Sequence, residues 1–152
     1  MVLGITHAAI GLVTGTLLML WYGNDISIIF FTLLGALIPD IDHPTSLLGR
    51  YVKPIGYLAR HRGFFHSLFA AALITGLTQL LLAPLGVNEP YAIAFFIGYL
   101  SHLFFDAITK EGIQPFYPAK QRIQGRTKVG SIKEWLFTIF LTAFLLWYWL
   151  IK

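Results

Sequence analysis

Residues 4–43, GITHAAIGLVTGTLLMLWYGNDISIIFFTLLGALIPDIDH, decide how the chain is read. No Asp, Glu, Lys or Arg occurs before Asp25. An uncharged run over about 4–22 has the length of roughly 20 residues that lets an apolar helix cross a bilayer. Trp21 and Tyr22 close it, as aromatic side chains do at a membrane–water interface. Gly23-Asn24-Asp25 is a turn signal. A second apolar run, 26–39, stops at Pro39, and Asp40, Asp42 and His43 follow at once. This run is shorter than a full span, which predicts little tilt or a locally thinned bilayer.

The same pattern recurs outward from this stretch. Apolar runs cover 63–88, 90–105 and 135–151. The last has a marked start, because Ser131-Ile132-Lys133-Glu134 fits a capping box and places a helix at 132–151. Only helices and closed barrels satisfy backbone polar groups in lipid, and these runs are too long and continuous for barrel strands. The expected fold is all-α: one domain over residues 1–152, a polytopic membrane protein of about five transmembrane helices. The N-terminus lacks a basic segment before its apolar run, so it reads as a retained first span rather than a signal peptide.

Composition agrees. Of 152 residues, 57% are hydrophobic and 12% charged, against about 25% charged in soluble domains. The absence of cysteine excludes disulfides and thiolate metal sites, leaving nitrogen and oxygen ligands. The net charge of +4 forms no basic helix or aromatic-interleaved stripe of the kind that binds nucleic acid. Ten of the eleven Lys and Arg residues lie in two loops, after the second and fourth runs. Five spans put both loops on one side, which the positive-inside rule makes cytoplasmic, with the N-terminus there and the C-terminus outside.

All five histidines converge on that side: His7 opens the first span, His43 leaves the second, His61 and His66 enter the third, and His102 closes the fourth. Asp40, Asp42 and Asp106 join them. His102 and Asp106 stand four apart and share a helix face. Asp40 and Asp42, if extended, point the same way and repel each other without a cation. Each element alone has an ordinary reading: a solvated acidic turn, interfacial histidines, a helix-packing His7. Together they deliver ionisable groups from four segments to one level, and such groups at a membrane mark functional sites. The surplus of donors points to two divalent transition-metal ions, zinc foremost, with manganese or iron also suited. Arg62, beside His61, has the chemistry to clamp a phosphate, although a topogenic charge explains it as well.

The ordered set His7, LIPDIDHP (37–44), HRGFFHS (61–67) and GYLSHLFFDAITKEG (98–112), followed by Pro118, resembles the YdjM-type family of inner-membrane proteins. Members of that family are labelled membrane-bound metal-dependent hydrolases. The likeness covers about residues 5–118. It implies motif positions at His7, Asp40, Asp42, His43, His61, Arg62, His66, His102 and Asp106. The HxxxD element also resembles the zinc-dependent phospholipase C group.

The expected function is a metal-dependent hydrolase of the cell membrane that attacks a lipid or phosphoester head group with metal-activated water. His7, Asp40, Asp42, His61, His66, His102 and Asp106 are the expected ligands, and His43 and Arg62 the catalytic partners. Membrane lipids are the expected partners; the basic loop 112–130, with Phe116 and Tyr117, reads either as a lipid-head contact or as a plain linker. Rival readings are a metal-ion or proton transporter, which would place its ionisable groups near the midplane, and a non-catalytic, metal-stabilised protein with a closed coordination shell.

Overall fold

The computed structural model describes residues 4–43, 46–47, 49–51, 63–86 and 88–152. Among them there are five helices: α1 (Gly4–Trp21), α2 (Ser27–Leu37), α3 (Leu68–Leu82), α4 (Glu89–Ala107) and α5 (Ile132–Ile151). No strand is present among the described residues beyond isolated bridges at Thr109–Thr127 and Ile113–Ile123. The all-helical expectation holds. His61 and Arg62 lie outside the described residues.

Three helical segments are long and apolar enough to cross a membrane: Gly4–Trp21, Leu68–Leu85 and Ile132–Ile151. α2, at 11 residues, is about 16 Å long. α4 is long enough, but Glu89, His102 and Asp106 lower its hydropathy. These two helices are the interior of the bundle. They pack backbone to backbone: a Cβ on Gly35 would collide with the Phe95 carbonyl, and one on Gly98 with the Thr32 carbonyl. Small residues permit this approach where lipid offers no hydrophobic drive to associate. Ala71, Phe95, Tyr99, Leu103 and Ile113 form the main buried cluster around α4. α3 and α5 instead turn Leu80, Leu81, Phe140 and Leu150 outward.

The helix ends sort into two groups. At one end Tyr91 donates to Asp25 Oδ2 at 2.7 Å, and Lys152 Nζ donates to Asn24 Oδ1 at 2.8 Å. At the other, Thr6 Oγ1 donates to Glu134 Oε1 at 3.1 Å and lies 2.8 Å from Thr138 Oγ1. α1 and α5 therefore run parallel, tied at both ends. The turn predicted at Gly23-Asn24 forms, both residues having positive φ.

Three local expectations are corrected. The third helix begins at Leu68 rather than residue 63, because Ser67 caps it by accepting the Ala70 N–H, and Phe64–His66 form a separate 3-10 turn. The Ser131 capping box does not close. Glu134 is engaged by Thr6 and by the Gly130 N–H at 2.7 Å, so it does not reach back to Ser131. The basic loop after α4 is no plain linker. Ile113 and Ile123 exchange backbone hydrogen bonds, Lys110 donates to the Thr127 carbonyl, and the Leu68 N–H donates to the Pro115 carbonyl. The loop is a folded platform across the histidine end of the bundle.

Candidate metal centre

Each side chain of the centre arrives from a different element. α1 carries His7 in its second turn. α2 gives way at Pro39 to a 3-10 turn, Ile38–Asp42, that holds Asp40 and Asp42. Pro39 has no N–H to continue the α-helical ladder, and Ser46 Oγ locks the turn by donating to the Asp40 carbonyl at 2.6 Å. His66 ends the 3-10 turn before α3, which Tyr99 anchors by donating to the Phe65 carbonyl at 2.7 Å. α4 carries His102 and Asp106 on one face, and Thr109 closes it by donating to the Asp106 carbonyl.

His7, Asp42, His66, His102 and Asp106 are fully buried, and Asp40 is 2% exposed. Their donor atoms crowd together. His66 Nε2 lies 3.3 Å from His102 Nε2, 3.5 Å from Asp106 Oδ2 and 3.7 Å from Asp40 Oδ1. His102 Nε2 lies 3.6 Å from Asp40 Oδ1 and 4.0 Å from Asp106 Oδ2. These distances exceed good hydrogen bonds. Three of them match ligand atoms around one ion, since donors at about 2.0–2.2 Å in tetrahedral array stand roughly 3.3–3.6 Å apart, and the 3.7 and 4.0 Å separations are somewhat longer.

The hydrogen bonding of His102 sharpens the point. Its Nδ1 lies 2.7 Å from the Ala36 carbonyl. A carbonyl only accepts, so Nδ1 carries the proton and neutral Nε2 turns a lone pair toward the Asp40 and Asp106 carboxylates. Lone pairs and carboxylates facing one another in a buried site are stabilised by positive charge among them, supplied by a protonated His66 or by a metal ion in its place. Neither ring nitrogen of His7 and neither carboxylate oxygen of Asp40 has a hydrogen-bond partner among the described residues. Two donor trios fit a metal ion: His7, Asp40 and His102, and His66, His102 and Asp106. Both use His102, so they overlap in one centre. His7 stacks on His102 with centroids 3.7 Å apart, and its Nε2 lies 3.3 Å from Asp106 Oδ1. Asp106 thus turns one oxygen to His7 and the other to His66 and His102.

Asp42 is placed differently. The stretch is a 3-10 turn rather than extended, so Asp40 and Asp42 do not point the same way. Asp42 Oδ2 lies 3.5 Å from His66 Nδ1, on the ring edge opposite the donor cluster. A carboxylate there orients the imidazole and raises its basicity. Burial pushes His66 down, yet Asp106, Asp40 and Asp42 outweigh it and carry the imidazole up to about 10. His43 is half-buried and caps the turn; its ring belongs to neither trio among the described residues. Sequence reasoning missed the supports: the Ala36 carbonyl, the Tyr99 hydroxyl and Ser46. Only the position of Tyr99, three residues before His102 on the same helix face, signalled one of them.

Fold and site together define a helical membrane protein with a buried His/Asp cluster, able to hold a metal ion, at one end of its bundle. A family model described as YdjM inner membrane protein matches residues 1–152, and the chain belongs to that family. It is an inner-membrane protein. It is 38% identical over 98 residues to inner membrane protein YdjM of Escherichia coli (strain K12), covering 60% of this chain and 50% of that protein. The same figures hold for inner membrane protein YdjM of Shigella flexneri. The matched stretch thus spans about half the length of these two relatives. The uncharacterized protein YvsG of Bacillus subtilis (strain 168) is 31% identical over 140 residues, covering 88% of this chain and 85% of that protein. No solved structure matches the chain significantly.

Proposed function

We propose that this protein is a membrane-bound metal-dependent hydrolase acting on an ester or phosphoester of an amphiphile at the cytoplasmic interface. The observation that carries the reading is the surplus of buried donors. Five His and Asp side chains, His7, Asp40, His66, His102 and Asp106, turn donor atoms together where four close a tetrahedral structural site. A divalent ion, zinc foremost, would supply Lewis acidity and an activated water. Asp40, His66, His102 and Asp106 would hold it. Asp106, with an oxygen on each side, and His7 would serve a second ion. Asp42 orients His66. His43, at the rim of the Asp40 turn, is the candidate general base, and Arg62 the candidate phosphate clamp; His61 is a further candidate ligand. The Lys/Arg-rich loops at the histidine end support a cytoplasmic site, five crossings, and a C-terminus outside.

Complete burial of the donors favours a second reading, a closed metal site that only stabilises the bundle. One experiment separates the two. The full chain is purified in neutral detergent, its metal content measured, and phosphate and fatty-acid release followed from mixed micelles of bacterial lipids. Bound metal with turnover that stops on chelation supports the hydrolase. Bound metal without turnover on any lipid supports the structural site, and absence of metal overturns both.

A further inference from the structure

A second site lies outside the His/Asp cluster, where the platform meets the start of α5. An apolar slot of about 230 Å³ runs between Phe105 and Ile108 on one side and Phe137 on the other. It shares Thr127 and Lys133 with an open basic mouth of about 470 Å³. Lys110, Arg126, Lys128 and Lys133 line the mouth, and no acid lines it among the described residues. None of these four cations has an ion pair among the described residues. Among the described residues the acid in the slot is Glu134, which has an oxygen on the Thr6 hydroxyl and an oxygen on the Gly130 N–H. Beside the slot α5 exposes Ile132, Trp135 and Leu136, the apolar face of a helix long enough to cross the bilayer.

Four cations without an ion pair among the described residues, above an apolar slot and at the mouth of a membrane helix, are complementary to one kind of molecule. We infer that this pocket binds an anionic phospholipid, with the phosphate on Lys110, Arg126, Lys128 and Lys133 and the glycerol and first acyl carbons against Phe105, Ile108 and Phe137. Basic groups near a membrane surface attract anionic heads, and the slot adds selectivity for a lipid over a free anion. The site stands whether or not the His/Asp cluster catalyses anything. Phe105 and Thr6 line the slot and directly precede Asp106 and His7, so the bound lipid lies against the wall behind the cluster.

Native mass spectrometry of the full chain from neutral detergent micelles, titrated with phosphatidylglycerol or phosphatidylcholine, tests the inference. Phosphatidylglycerol is expected to bind with saturable one-to-one stoichiometry and phosphatidylcholine at least tenfold more weakly. Lys128→Gln with Lys133→Gln should weaken it about fivefold per charge removed. Ile108→Trp, which fills the slot and keeps every charge, should weaken it too. Lys120→Gln with Arg122→Gln, on the same loop outside the mouth, should leave it unchanged. Equal binding of the two lipids overturns the inference. So does equal loss in the Lys120/Arg122 pair, which would mean diffuse attraction to the loop. Full displacement by millimolar inorganic phosphate, meaning a free-anion site, also overturns it.

Discussion

Asp42 Oδ2 stands 3.5 Å from Nδ1 of His66, while the other nitrogen of that ring faces His102 and Asp106. One acidic pair, Asp40 and Asp42, therefore meets His66 from both edges and does two jobs. Asp42→Asn keeps the size and leaves a neutral hydrogen-bonding group. It should weaken metal affinity about 10- to 100-fold without abolishing binding. A chelator competition would measure this; complete loss of metal would make Asp42 a ligand.

Asp40→Asn and His102→Ala remove groups that face the common centre. Both should lower the metal content of purified protein to near zero while the chain still inserts. His43→Ala should leave metal content unchanged, because its ring is in neither donor trio. Elemental analysis of membrane-extracted protein checks all three, and retained metal in either of the first two variants would remove that residue from the site.

Proton release offers an independent readout. Without metal, His66 is carried up to about 10 by its carboxylate neighbours, so its ring is protonated throughout the neutral range. A metal that takes Nε2 must displace that proton. Uptake at pH 7 should release about one proton per chain, and apparent affinity should rise roughly tenfold per pH unit, levelling only as pH passes about 10. Calorimetry in buffers of different ionisation enthalpy would detect it. Binding without proton release would place His66 outside the coordination shell.

Gly98 admits the Thr32 carbonyl where any Cβ would collide with it. Gly98→Leu should separate α2 from α4, costing about 3 kcal/mol or more. It should move Asp40 away from His102 as well, so melting temperature and metal affinity fall together. A variant with unchanged melting in detergent would contradict the backbone-to-backbone packing.

Lys152 and Asn24 share a hydrogen bond, so the end of α5 and the α1–α2 turn belong to one face of the molecule. Reporters fused after Lys152 and inserted at the Asn24 turn should both read outside the cell membrane, and one inserted at Lys120 inside. A Lys152 fusion reading on the same side as Lys120 would overturn the five-crossing arrangement.

Much of the fold was legible because lipid imposes simple rules. The uncharged runs of α1, α3 and α5 and the gathering of Lys and Arg in two loops follow from hydropathy and charge alone. So did the presence of His7, Asp40, His66, His102 and Asp106 at one level, since each lies at the end of an apolar run. α2 and α4 were harder, because interior helices face protein instead of lipid and need neither full length nor full hydropathy.

By itself the sequence determined that the chain is helical, that it lives in a membrane, and that His7, Asp40, Asp42, His66, His102 and Asp106 share one end. The tertiary structure alone decided how they are arranged. Backbone contact at Gly35 and Gly98 sets the spacing of α2 and α4. The Ala36 carbonyl fixes the proton of His102, and the 3-10 turn after Pro39 divides Asp40 from Asp42 around His66. It also folded the basic loop into a wall with an apolar slot beside α5. The division has a physical cause. Partition into lipid depends on composition along the chain, whereas coordination depends on where lone pairs point, and only packing between distant segments aims them.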